Sequence, residues 1–320
     1  MALSALLCLL FSINVLFAQT NQYTSTLEGN ESKAVEFGIC TDVHNDIIYN
    51  PESRLRTFVD DMKEKEADFI IQLGDFCYPD DNSNTFIAIF EEFGENAYSV
   101  IGNHDRDNGA SLEKVIEFYS MPAAYYSFDK NNIHFIVMDG NEEKIGDSLS
   151  TISDAQIVWL IKDLNSTDKK TVVFIHESFT YDDISNAEVI RNIFSSHLIQ
   201  DGSKKVLACF NGHKHTDELE KVDGVWYVTI NSMSYMWVGE EYGHKIEGVS
   251  ESIYNQKPEL KYTCPYKDPL YAFVTIFENG TIAIKGQTST WVDPSPMELE
   301  FDGGVLPPEK RPVISDTILN

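Results

Sequence analysis

Val35-Glu36-Phe37-Gly38-Ile39-Cys40-Thr41-Asp42-Val43-His44 reads as an apolar strand that runs directly into an acid and an imidazole. Leu55, Phe58, Val59 and Met62 follow at i, i+3, i+4 and i+7, which predicts a helix with one apolar face. The next strand, Phe69 to Asp75, ends in Gly74-Asp75, and the helical spacing returns at Phe86, Ile89, Phe90 and Phe93. Tyr98 to Asn103 is a third strand, running into Gly102-Asn103-His104-Asp105. Tyr125–Phe128 and Ile133–Met138 flank a turn at Asp129–Asn132 and predict a hairpin. Ser153 to Gln156 is a capping box for a helix whose face is Ile157, Leu160, Ile161 and Leu164. Thr171–Ile175 leads to His176; a helix around Ile190 and Phe194 follows, and Val206–Phe210 leads to Gly212-His213-Lys214-His215. Trp226–Ile230 and a hairpin of Tyr271–Phe277 with Thr281–Ile284, turning at Asn279-Gly280, add strands at the end. Strand and helix in alternation predict an α/β core whose sheets are covered by helices.

Composition narrows the partners. Among 320 residues, 51 acids against 24 Lys and Arg leave a net charge of −27, which repels nucleic acid and anionic membranes. With 42% hydrophobic residues the chain buries a sizeable core, and five scattered cysteines exclude a disulfide-built miniprotein. Ala2 to Ala18 is apolar and uncharged, shorter than a membrane span, and predicts a cleaved export signal at residues 1–18. A polar linker over 19–32, a main domain over 33–290 and an extended, proline-containing tail over 291–320 are expected. Within the domain, the Tyr-rich stretch 231–270 reads either as a lid or as a satellite apolar cluster.

Five strands in succession thus end in metal-ligand chemistry, at the rim where open α/β sheets bind ligands. Asp42-x-His44, Gly74-Asp75, Gly102-Asn103-His104-Asp105, His176 and Gly212-His213-x-His215 together resemble the signature of the calcineurin-like metallophosphoesterases. The resemblance spans about residues 33 to 290, with every ligand position filled. Asp42-x-His44 looks nearest to bacterial class III cyclic nucleotide phosphodiesterases and to manganese-dependent ADP-ribose/CDP-alcohol diphosphatases. Glu177 departs from the former, which often carry His or Pro after the fourth motif's histidine.

The resemblance implies an α/β, four-layer α-β-β-α sandwich of two mixed β-sheets flanked by helices, with a dinuclear metal site at the strand C-terminal ends. It implies that Asp42, His44, Asp75 and His215 hold one metal and that Asp75, Asn103, His176 and His213 hold the other, Asp75 bridging. Such N/O shells suit Mn, Fe or Zn, as divalent or trivalent ions, and lack the thiolates of a structural zinc site. His104 is implied as the general acid in hydrolysis of phosphate mono- or diesters; Asp105 either orients it or caps a helix. A nucleoside diphosphate-X pyrophosphatase and a non-catalytic metal- or phosphate-binding protein are the rival readings. Gly212 is expected to bend the backbone so that His213 and His215 converge.

Substrate contacts are expected from Asn45, Arg54 and Arg106 beside the motifs, with a surface ion pair the alternative for Arg106. Tyr235 and Trp237 are candidates to stack on a base or an apolar leaving group. The expected partner is a small phosphorylated substrate, with no nucleic-acid polymer and no membrane span after the signal is removed. Cys40, Cys77, Cys209 and Cys264 read as buried thiols, with a Cys40–Cys77 bridge the alternative in an exported protein.

Overall fold

The computed structural model describes residues 31–145 and 149–320, so the expected leader and nearly all of the expected linker lie outside the described residues. The first half of the chain forms β1 (Lys33–Cys40), α1 (Pro51–Glu64), β2 (Phe69–Gln72), α2 (Asn84–Glu91), β3 (Ala97–Ser99), α3 (Leu112–Phe118), β4 (Tyr126–Lys130), β5 (Ile133–Val137), β6 (Glu143–Ile145) and β7 (Leu149–Thr151). Then come α4 (Asp154–Ser166), β8 (Lys170–Phe174), α5 (Ala187–Ser196), β9 (Val206–Asn211), β10 (Glu218–Val222), β11 (Val225–Thr229) and β12 (Tyr235–Trp237). The chain closes with α6 (Glu251–Gln256), β13 (Thr263–Pro265), β14 (Ala272–Phe277), β15 (Ile282–Lys285) and β16 (Thr317–Leu319).

Two six-stranded mixed sheets result, in the orders β16-β15-β14-β1-β2-β3 and β10-β11-β9-β8-β5-β4. β1, β2 and β3 run parallel in the first, and β5, β8, β9 and β11 run parallel in the second. The sheets meet through an aromatic layer in which Phe37 of β1 packs edge-on against Phe135, Phe174 and Phe210 at 5.9, 5.7 and 6.2 Å. Alternation along each strand decides the opposite face. There Ile136, Val173, Cys209 and Tyr227 join Leu160, Leu164, Ile190 and Phe194 of α4 and α5 in a second buried cluster. Leu55, Phe58, Val59 and Met62 of α1 are buried on the first sheet, where a Cβ on Gly38 would lie 2.3 Å from Met62 Sδ. The order is helix, sheet, sheet, helix. Among the described residues, no helix is long and apolar enough to cross a membrane.

Two local expectations change, at the start of α4 and in the C-terminal segment. Ser153 Oγ accepts from the Gln156 N–H at 3.1 Å, but Gln156 does not reach back, because its amide bonds the Asp139 backbone instead. In α4, Gln156, Leu160 and Leu164 are buried and Ile161 is exposed. Residues 291–320 are not a loose extension: β16 pairs with β15, and Leu306, Ile314 and Leu319 enter the core. In the 231–270 stretch, Tyr235, Ile246 and Leu260 form a small cluster with Ile47 and Ile48. Cys40, Cys77, Cys209 and Cys264 are buried free thiols, and no bridge joins the first two.

A buried histidine ties β5 to its neighbours. His134 Nδ1 meets Asp129 of β4 and Nε2 meets Asp163 of α4, each at 2.7 Å. Burial opposes its charge, yet the two carboxylates outweigh burial and raise the imidazole above its ordinary 6.5. A raised folded-state pKa contributes stability that is complete below the unfolded value and lost as pH rises through the folded one. His134→Gln is therefore expected to cost about 1 kcal/mol at pH 5.5, allowing for the half-exposed Asp129, and less at pH 9. Denaturant unfolding at both pH values checks this; an equal cost at both would show that the charge is not what matters.

Candidate metal centre

Each motif residue lies just past the end of a parallel strand. Asp42 and His44 follow β1, Asp75 follows β2, Asn103 and His104 follow β3, His176 follows β8, and His213 and His215 follow β9. The backbone is strained there: Asp42, His44, Asp75, His213 and His215 have φ of 49°, 53°, 50°, 70° and 51°. Such left-handed conformations cost non-glycine residues about 1–3 kcal/mol each and concentrate at functional sites. Hydrogen bonds between the turns hold them, His44 N–H donating to Asp75 O and Asp42 N–H to Gly74 O, both at 3.0 Å. The bend that brings His213 and His215 together resides in those two residues and not in Gly212. Gly212 serves close approach instead, since a Cβ would fall 2.0 Å from Thr41 Oγ1 and 2.5 Å from Asp42 Oδ2.

Two triads form, Asp42 with His44 and His215, and Asp75 with His176 and His213, each offering ligand atoms within 4.8 Å of one another. Asp75 lies between them, Oδ2 standing 3.1 Å from His176 Nε2 and 3.7 Å from His44 Nε2. Its Oδ1 accepts the His104 N–H at 2.8 Å. Asn103 Oδ1 approaches His176 Nε2 to 3.1 Å.

The hydrogen bonds around the triads show what they are built to hold. His176 Nδ1 donates to Leu73 O at 2.8 Å and His215 Nδ1 donates to Tyr235 O at 3.0 Å. A neutral ring donating from Nδ1 carries a lone pair on Nε2. The His176 lone pair then faces Asp75 Oδ2 and Asn103 Oδ1, both acceptors, an arrangement that needs a cation or a proton between them. Asp42 Oδ2 accepts from Thr41 Oγ1 at 2.5 Å and from the His213 N–H at 3.0 Å. Its Oδ1 is buried without a hydrogen-bond partner, 3.2 Å from His215 Nε2, while His44 Nδ1 faces Asp46 Oδ1 at 3.7 Å. An orphaned buried acceptor is costly and calls for an explanation. Outer nitrogens anchored on carbonyls are the support that metal-binding histidines receive, and an all-N/O donor set suits Mn, Fe or Zn.

The same groups set each other's protonation. Burial pushes Asp42 up, but His215 and His176 outweigh it and hold the carboxyl at about 2. Asp75 falls well below its ordinary value because His176, His44 and His104 likewise overcome burial. Burial lowers His44, yet Asp46, Asp75 and Asp42 raise it to about 9; burial and the His176 charge lower His213 to about 4. Metal binding displaces protons from such imidazoles.

His104 stands at the edge of the triads, its side chain about half exposed, with Nδ1 2.5 Å from Asp107 Oδ2. Asp105, expected either to orient it or to cap a helix, turns into the core and accepts from the Phe76 and Gly102 N–H groups and the Tyr119 hydroxyl at 2.8, 2.7 and 2.9 Å. The cause is the tight turn of helix at His104–Arg106, in which i and i+3 overlay, so Asp107 lies over His104.

The other expected contacts divide between the cavity and sites away from it. Asn45 donates to Ser83 Oγ at 3.1 Å in a separate cleft with Tyr78 and Lys257, and the exposed Arg106 donates to Ala110 O at 3.3 Å. Arg54 is buried, bonded to Asn50 and to the carbonyls of Met233 and Tyr266, and acts as a structural tie. Tyr235 is buried with its ring 5.3 Å from that of His44 and 5.0 Å from that of His215. A cavity of about 600 Å³ opens over the triads, lined by His44, Asp75, His104, His213 and His215, and also by Trp237. Phe301 and Lys310 of the C-terminal segment border it too. Nothing in their local sequence marks them; only the fold brings them there.

The sequence profile described as calcineurin-like phosphoesterase matches residues 35–246. Among solved structures, a dimetal phosphatase from Danio rerio superimposes with a TM-score of 0.59 at 15% identity, covering 82% of this chain and 100% of that one. A phosphatase from Mycoplasma pneumoniae gives 0.51 at 14% identity, over 84% of this chain and 99% of the other. At these identities the likeness concerns the fold. No curated protein matches the sequence.

Proposed function

The chain belongs to the calcineurin-like phosphoesterase family and is a metal-dependent phosphoester hydrolase; on that premise we propose that it is an exported enzyme cleaving phosphate mono- or diesters, with His104 as general acid. The observation that carries this reading is the pair of triads flanking Asp75, with His104 the motif histidine that joins neither. Asp42, His44, Asp75 and His215 would hold one cation, and Asp75, Asn103, His176 and His213 the other. Cations bound there supply charge for the phosphoryl oxygens and an acidified water for in-line attack.

The chain's own groups do the rest. His104 is tethered by its backbone N–H to Asp75 and by Nδ1 to Asp107, which leaves Nε2 free to protonate a departing oxygen. The Asp107 carboxylate fixes the orientation of the ring. The Asp42-Val43-His44 pattern supports a reading nearest to the class III cyclic nucleotide phosphodiesterases and the manganese-dependent diphosphatases, with Glu177 weighing against the former. Export rests on the apolar, uncharged run Ala2–Ala18.

Metal analysis of the purified protein is expected to find two ions per chain. Chelation is expected to abolish hydrolysis of both p-nitrophenyl phosphate and bis-p-nitrophenyl phosphate, with Mn²⁺ restoring it. Turnover indifferent to chelator would overturn the proposal.

A further inference from the structure

We propose that the cavity wall beyond the two triads is a leaving-group subsite for an uncharged alcohol bearing a planar ring, so that such phosphate esters are preferred over substrates with a second anionic group. This rests on reading the site as a phosphoester hydrolase and names its substrate class.

The wall is made by segments far apart in the chain: Tyr235, Met236 and Trp237 from β12, Ile47 from the turn after β1, and Phe301 and Lys310 from the C-terminal segment. Trp237 is 42% exposed although it is large and apolar. It is braced against Tyr262 with ring centroids 5.8 Å apart, and Phe301 against Tyr242 at 5.1 Å. Rings fixed in this way offer contact area at little cost in side-chain ordering, and aromatic partners recognise planar groups by stacked or edge-on packing.

The charges of the wall disfavour a second anion. Lys310 is paired with Asp302 at 2.9 Å and lies 5.6 Å from the centre of the Phe301 ring. Lys214 is paired with Asp183 at 2.5 Å and lies 4.8 Å from the centre of the Tyr181 ring. Glu259 also borders the cavity. Two ammonium groups thus stand among three carboxylates, and the chain as a whole carries −27. A phosphate beyond the reach of the metals would meet no surplus of positive charge, which selects against it.

Calorimetry on the manganese-loaded protein with non-hydrolysable phosphonates separates these ideas. Benzylphosphonate is expected to bind about tenfold more tightly than methylphosphonate, the scale of one good aromatic contact. 4-Carboxybenzylphosphonate, the same ring with an added charge, is expected to lose most of that advantage. Trp237→Ala and Phe301→Ala are each expected to shrink the benzyl-to-methyl ratio, and Trp237→Phe to retain most of it. A ratio near one in the native protein, or one that survives both alanine variants, overturns the subsite while leaving the hydrolase reading in place. Failure of every phosphonate to bind overturns the hydrolase reading itself, and the subsite with it.

Discussion

Alanine at His104 lowers turnover of an alkyl phosphate by about 10²–10⁴-fold, the usual contribution of a general acid, while two metals per chain are retained. The expectation follows from geometry. The side chain belongs to neither triad, and its ring is held by Asp107 at 2.5 Å rather than by a ligand. Its backbone N–H supports Asp75, and alanine keeps that bond. The loss should depend on the leaving group, because an alkoxide must be protonated as it departs whereas p-nitrophenolate leaves unaided. Parallel kcat measurements on ethyl phosphate and p-nitrophenyl phosphate, with metal content determined on the same preparations, test it. Equal losses on the two substrates would remove His104 from the acid role.

Asp75→Asn is expected to cost on the order of 10³-fold in activity and to release metal. Oδ2 of this carboxylate faces His176 and His44 from a buried position, and the imidazoles around it hold it ionised against the pull of burial. An amide keeps the size but discards the negative charge and one of the two oxygen donors. Loss of a buried anion among compensating charges is worth several kcal/mol, and each 1.4 kcal/mol is about a factor of ten in rate. Metal analysis and a thermal melt separate loss of the site from loss of the fold. Full metal content with full turnover in this variant would contradict a bridging role.

Much of this was legible in residue order, for a definite reason. Parallel strands joined by helices present their C-terminal ends on one side, so Asp42, Asp75 and Asn103 share one rim of the first sheet and His176 and His213 one rim of the second, and the packing of the two sheets brings these rims together. The apolar faces of α1 and α2 were equally plain, because Leu55, Phe58, Val59 and Met62 and then Phe86, Ile89 and Phe90 obey helical spacing and are buried. The orienting carboxylate was less accessible. Residue order pointed to Asp105 and missed Asp107, which the tight helical turn places beside His104 by bringing i and i+3 to one side. Gly212 misled in a similar way: glycine suggests a positive φ, but here it answers the crowding of Thr41 and Asp42 from another strand.

The sequence by itself determined the α/β class, the ligand inventory and the acidity that metals must offset, since these depend on residue type, period and strand direction. Only the tertiary structure decided that Asn45 lines a separate cleft, that Arg54 is a buried tie, and that Phe301 and Lys310 border the metal centre. Ligands at strand ends are placed by local rules. A substrate wall is placed by long-range packing, here of a C-terminal segment whose β16 pairs with β15, and that leaves no periodic trace in the chain that supplies it.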